Sequence, residues 1–440
     1  MSNDRAAGPT VDLTADLDTI LAARDVLPVF APVVDLRTRE TVAFQTLARG
    51  PADGPLERTD VLFDAARRTG RLAELDELCR SRSLEAVLEA GLHAPQALFV
   101  RRESADLARD APSASHLVAL RRRGLRLVVE LTERALVRDP AGLLAYADRL
   151  RTAGLALALD GVGADPRAAA LMPFLRPDVV KLDPGMTGRA PGREAVRVLA
   201  AVTAHAEQTG ALVLAQGVET AEDETRALAL GAALAQGGRY GRPAPLSEDA
   251  AAASPRRPLV LGDGTEGTPP ISPFTAVSRA TTPPRAPRSL LAEFRRLVER
   301  QTADMHGLAV VLVSGVDAPP RSAEDTRQYT ALVEAGALVL GLGTEMSGEI
   351  VPGMSGVRVD PDDPVAGEWD LVVVTPHLAV ALVARHRRED GPGGESTFAY
   401  ALSYDRATVL AAARSLLARV VPRRSAAGLR ADLRDTARGR

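Results

Sequence analysis

Between residues 14 and 246 the chain alternates repeatedly between short apolar runs and stretches of helical period. No other feature limits its fold as much. Apolar, β-branched runs fall at 28–35, 41–47, 97–101, 126–131, 154–160, 178–183, 211–216 and 231–236. Amphipathic helical patterns fill most intervals, for instance 58–69, 71–90, 141–153, 191–209 and 221–230. Eight strands separated by helices predict an α/β fold, a TIM-like (β/α)8 barrel. The first two runs are joined only by "DLRTRE", too short for a crossover helix, so the first strand is expected to run antiparallel.

A second α/β pattern follows, with helices at 287–301, 323–335 and 406–420. Its expected strands are 307–314, 337–342, 356–360, 370–375, 379–385 and 397–403. The resulting division is a flexible leader at 1–13, the barrel at 14–249, and a linker rich in proline and glycine at 250–271. A smaller α/β domain at 272–422 and an arginine-rich, disordered tail at 423–440 complete it.

Charge and composition exclude several classes. A net charge of −3 argues against a nucleic-acid-binding surface. The single cysteine, Cys79, lies in a helical pattern and reads as a small core residue, with no thiolate metal cluster to join. No apolar signal segment opens the sequence, and the apolar stretch at 371–384 is broken by Thr375, Pro376 and His377. A cytoplasmic chain, off the membrane, is expected. His377, a lone histidine after a strand, reads as structural. The stretch "DPDDPVAGEWD" reads as a turn that docks Trp369, not as a calcium loop.

Of 54 basic residues only one, Lys181, is a lysine. A compact ammonium and a planar guanidinium are not equivalent, so its survival among arginines points to a specific need. In such barrels chemistry sits where strands end. The strand ends here offer Gln45, Arg101, Glu130, Asp160, Lys181 with Asp183, Gln216 with Glu219, and Gln236.

These residues carry a resemblance. Residues 14–246 resemble the EAL family of cyclic di-GMP phosphodiesterases. "VFAPVVDLRTRETVAFQTLARGP" is similar to that family's opening hairpin, and "VVELTERA" to its ELTE motif. "ALDGVGAD" sits where a DDFGTG loop belongs. "VVKLD", "AQGVET" and "QGGRYGRP" resemble the KID, AEGVET and QGYLFGRP motifs. The family hydrolyses a cyclic dinucleotide with two divalent metals, Mg²⁺ or Mn²⁺. The resemblance implies that Glu130 and Asp160 match metal ligands and Lys181 the lysine that supports the attacking water. Asp183, Glu219 and Gln236 match further site positions.

Four positions depart from the pattern. The eponymous glutamate is Gln45, an asparagine ligand is Arg101, the second aspartate is Gly161, and the proposed general base is Gln216. Three carboxylates are lost and one cation gained, a swing of about four charge units against ions that want anionic oxygens. A guanidinium about 5 Å from a divalent ion repels it by roughly 6–7 kcal/mol at an effective dielectric of 20. On this reading no metal cofactor is bound, the chain is not an enzyme, and Arg101 and Lys181 stand in for the metal charge beside Glu130 and Asp160.

Arg49 matches a phosphate-contacting arginine, and Tyr240, Arg242 and Pro243 lie in a segment that packs on a guanine in the family; the glutamine of the QPI motif, however, is Ala31. Residues 272–422 resemble the DICT sensory family, through "SPFTAVSRAT", "DTRQYTALVEAGALVLGLGTEM", "VRVDPDDPVAGEWDLVVVTPHLAVALVAR" and "FAYALSYDRATVLAAARSLL". The expected function is a catalytically inactive signalling protein that acts through an unknown protein partner and forms a homodimer. A non-catalytic cyclic di-GMP receptor and a residual phosphodiesterase stay open as alternatives.

Overall fold

The computed structural model describes residues 13–102, 120, 122–133, 136, 139–187, 192–253, 255, 258–261, 271–278, 283–304, 308–315, 323–386 and 397–420. The expected disordered tail, nearly all of the expected leader and linker residues 262–270 lie outside them.

Eight strands close a barrel in sequence order. They are β1 (Leu27–Asp35), β2 (Thr41–Arg49), β3 (Ala97–Arg102), β4 (Arg126–Thr132), β5 (Ala156–Val162), β6 (Val179–Leu182), β7 (Leu212–Ala215) and β8 (Leu234–Ala235). The β1–β2 hairpin is antiparallel, as its short connection requires, and β1 also meets β8 antiparallel to close the ring. From β2 to β8 each neighbouring pair is parallel, so all seven present their carboxyl ends at one rim.

Side chains alternate across a strand with a period of two, and this decides which residues face the lumen. A layer of Ala43, Ala97, Phe99, Val128, Ala158, Val179 and Leu214 fills the barrel's interior. Two residues further along each strand the inward positions are Gln45, Arg101, Glu130, Asp160, Lys181 and Gln216. The dry layer is therefore the floor of a polar mouth.

The far end of the barrel is sealed by chain that composition reads as linker. Leu259 and Leu261 are buried in the same apolar cluster as the lumen residues, while Val260 between them is 77% exposed. Arg126 donates to the Leu261 carbonyl at 3.2 Å, and the Gln96 amide donates to Ala250 O at 3.3 Å. Residues 248–252 form a helix. An apolar floor left open to water would favour such a cover, which local composition does not reveal.

The second domain is an eight-stranded sheet in the order β12-β13-β11-β10-β14-β15-β16-β9. Its strands are β9 (Arg285–Pro287), β10 (Val310–Ser314), β11 (Leu338–Gly343), β12 (Gly348–Val351), β13 (Met354–Arg358), β14 (Glu368–Val374), β15 (Ala379–His386) and β16 (Thr397–Ser403). Only β10–β11 and β11–β13 are parallel. One face packs on helix Arg288–Asp304 and helix Ala323–Glu334 through Leu291, Val298, Tyr329 and Leu332. The other face packs on helix Arg406–Leu417 and helix Pro273–Val277, and helix Arg406–Leu417 in turn meets barrel helix Pro166–Leu175. A continuous apolar cluster joins Leu143, Leu171 and Phe174 of the barrel helices to Leu312, Val372, Ala412 and Leu416 of this domain. Arg414 donates to Phe174 O at 3.4 Å and to Asp148, and Gln208 donates to Pro376 O at 3.2 Å.

Trp369 lies within β14, half-buried, with the Arg295 guanidinium 5.3 Å from its ring centroid. The acidic stretch before it forms a 3-10 turn, Pro364–Gly367, capped by Asp363. His377 is exposed, and Cys79 is buried in helix Leu72–Glu89.

Candidate functional site

The mouth is built around one buried cation. Lys181 and Glu130 are both 0% exposed, and Lys181 Nζ lies 2.5 Å from Glu130 Oε1. The same ammonium is 3.6 Å from Asp160 Oδ1, so it bridges carboxylates from β4 and β5. Amides complete the shell. Gln45 Nε2 donates to Glu130 Oε2 at 2.6 Å, and Gln216 Nε2 donates to Asp160 Oδ1. Gln236 Nε2 donates in turn to Gln45 Oε1 at 2.6 Å. Gln236, Gln45, Glu130 and Lys181 thus form a hydrogen-bonded chain, and the ion pair from Lys181 to Asp160 continues it to Gln216, across six strands or strand ends.

The two carboxyls respond differently to this setting. Burial, its largest influence, pushes Glu130 above the usual carboxylate range, with Asp160 adding to the push against the pull of Lys181. Burial pushes Asp160 up as well, but the charges of Lys181 and Arg101 and the Gln216 hydrogen bond outweigh it, and its carboxyl is held low. Arg101 is paired with Glu130 in the β3–β4 register and is half-buried.

The structure brings together Gln45, Arg101, Glu130, Asp160, Lys181, Gln216 and Gln236. Two matched residues point their carboxylates elsewhere. Asp183 accepts from Gly185 N at 2.8 Å, and Glu219 from Gly238 N at 2.9 Å. Gly161 has φ of +79°, a backbone state that an L side chain rarely adopts. Arg49, at the end of β2, and Arg242 are exposed at the rim. Tyr240 is half-buried and donates its hydroxyl to Glu224 Oε2 at 3.1 Å; burial first, then that carboxylate, pushes its phenol up to about 12. Pro243 is half-buried.

Sequence reasoning did not single out Glu133, Asp76 or Arg80. Glu133, inside the quoted ELTE-like motif, is buried beyond β4, and burial raises its carboxyl to about 7 against backbone hydrogen bonds from Asp165 and Gly163. Asp76 and Arg80, one helical turn apart, are buried beside a cavity of about 30 Å³ where the β2–β3 ladder ends at Gln45 and Phe99. That volume suits one water. Two charges at i and i+4 inside an otherwise apolar helical stripe were the available signal.

The residues present do not fit a divalent metal. Among the described residues no group of three or more His, Cys, Asp or Glu side chains could hold one. The two carboxylates that remain already accept an ammonium and amide donors, and Arg101 offers no acceptor.

The family model described as "EAL domain" matches residues 14–243. An uncharacterised protein, y4lL of Sinorhizobium fredii, is 26% identical over 227 residues, which are 50% of this chain and 27% of that protein. The cyclic di-GMP phosphodiesterase RocR of Pseudomonas aeruginosa is 31% identical over 120 residues, 27% of this chain and 31% of that protein. The chain thus spans under a third of the length of both relatives. The FimX EAL domain from Pseudomonas aeruginosa, solved bound to c-di-GMP, has 21% identity and a TM-score of 0.46, covering 54% of this chain and 99% of that one.

The expectation that the chain is not an enzyme is corrected by these comparisons: the matched family and a phosphodiesterase relative stand against it. The changed positions alter the charge of the mouth, but Glu130, Asp160 and Lys181 are retained there. No helix among the described residues is long and apolar enough to cross a membrane.

Proposed function

The chain belongs to the EAL domain family, and from that premise we propose that its barrel takes cyclic di-GMP at the carboxyl rim, as the nucleotide-responsive half of a signalling protein. One observation carries this reading: a polar chain from six strands or strand ends, buried at Glu130, Lys181, Asp160 and Gln45, converges at a single rim in a barrel of this family. Such rims are where barrels of this architecture place their ligands. A cyclic dinucleotide carries two phosphodiester anions, and the exposed guanidiniums of Arg49 and Arg242 stand at the rim to meet them. Tyr240 and Pro243 lie beside them and suit contact with a base face.

The second domain is the sensory half, of the DICT type that residues 272–422 resemble. Its apolar seam with the barrel helices supports a physical link between input and output. Calorimetry of the full chain with cyclic di-GMP tests the nucleotide reading. Micromolar binding is expected, weakened about tenfold in Arg49→Ala by loss of one charge-assisted contact. Absence of heat at protein concentrations that saturate a micromolar site would remove it.

A further inference from the structure

We propose that Lys181 is the resident cation of the barrel mouth, and that the site binds the phosphodiester of its ligand without a divalent metal ion. The proposal rests on the cyclic di-GMP reading for its ligand, and on side-chain geometry for its cation.

Position is the first ground. Lys181 Nζ bridges Glu130 Oε1 at 2.5 Å and Asp160 Oδ1 at 3.6 Å, both buried. An ion coordinated at about 2.1 Å by those same oxygens would overlap the ammonium. The lysine is fully enclosed, so it has no solvent-facing place to withdraw to without opening the core.

Direction is the second. Gln45 keeps a carbonyl oxygen that could ligate a metal, but that oxygen accepts from Gln236 Nε2 while its amide nitrogen serves Glu130. Flipping the amide would set oxygen against carboxylate and nitrogen against nitrogen, so both bonds would be lost together. Gln216 likewise presents a nitrogen to Asp160.

Charge is the third. Glu130 and Asp160 against Lys181 and Arg101 sum to zero when all four are ionised. A metal therefore finds no net anion at this mouth, and an incoming phosphodiester is not repelled by one. In a chain whose other basic residues are arginine, the compact ammonium is the group that fits between two buried carboxylates.

Two kinds of measurement on the full chain decide it. Paramagnetic titration with Mn²⁺ should show no bound ion up to millimolar concentration in the natural protein. Lys181→Met, which uncovers both carboxylates, should gain Mn²⁺ affinity by ~100-fold or more. Gln45→Glu, which adds a carboxylate but keeps the ammonium, should stay silent; this variant and the natural protein still decide the matter if Lys181→Met does not fold. Cyclic di-GMP should bind equally, within about twofold, in EDTA and in Mn²⁺. Mn²⁺ bound by the natural protein and lost in Asp160→Asn would overturn the proposal, as would ligand binding or linear product that requires the metal. A chain that binds no cyclic di-GMP under either condition removes the functional reading instead, while the Mn²⁺ titration still decides the resident cation.

Discussion

A buried lysine between two buried carboxylates is a high-stakes arrangement, because each charge is tolerable only while its partners are present. Lys181→Ala should lower the free energy of unfolding by about 3–5 kcal/mol, measured by chemical denaturation. Asp370, in the second domain, makes the opposite case. Burial and then the neighbouring Glu368 charge push its carboxyl well above the usual range, and Ser314 Oγ donates to it at 2.5 Å. A carboxyl that burial holds toward its neutral form loses less as an amide than an ionised one would, so Asp370→Asn should unfold within about 1 kcal/mol of the natural protein at neutral pH. Glu133 gives a pH signature. Its folded value, about 7, lies above the 4.5 of the free group. Between those values the folded chain holds more protons than the unfolded one, so its contribution to stability falls as pH rises through that window. The difference between the natural protein and Glu133→Gln should therefore slope by at most about 1.4 kcal/mol per pH unit from pH 4.5 to 7, and be flat outside it. A flat difference throughout would mean the carboxyl stays ionised. Glu133 was hidden in the sequence because a conventional motif position says nothing about burial.

Among elements, the strands were the most legible. Each of the eight barrel strands overlaps a run that the sequence marks, and β1 to β5 reach one or two residues past it, since apolar β-branched segments between amphipathic helices have few other uses. Helix Pro166–Leu175 is harder to read, with a proline inside it at Pro173 and few polar residues to set a period. β12 is harder still, because Gly348 and Glu349 dilute a four-residue edge strand. The segment at 258–261 is the least legible. Its prolines and glycines nearby speak of linker, but Leu259 and Leu261 are among the apolar cluster that floors the barrel. Leu261→Ala should cost about 2–4 kcal/mol by denaturation. Val260→Ala, at an exposed site, should change stability by less than about 0.5 kcal/mol. Equal effects at both sites would mean the segment does not plug the barrel.

At the scale of the whole molecule, the barrel and the second sheet share an apolar cluster, and Arg414, 10% exposed at its side chain, ties helix Arg406–Leu417 to Asp148 and Phe174. Calorimetry should show one unfolding transition for the full chain. Arg414→Glu, which sets a buried carboxylate against Asp148, should split it into two. Two transitions in the natural protein would mean that the seam is weak. The sequence by itself determined the barrel, its antiparallel first strand, and which residue types stand at the strand ends, because period and connection length are local properties of the chain. Tertiary structure alone decided that Gln45 and Gln216 turn nitrogens toward Glu130 and Asp160, that Lys181 bridges those carboxylates, and that a linker-like segment seals the floor. Such outcomes depend on distances between strands far apart in sequence, and burial across those distances is what sets both charge state and amide direction.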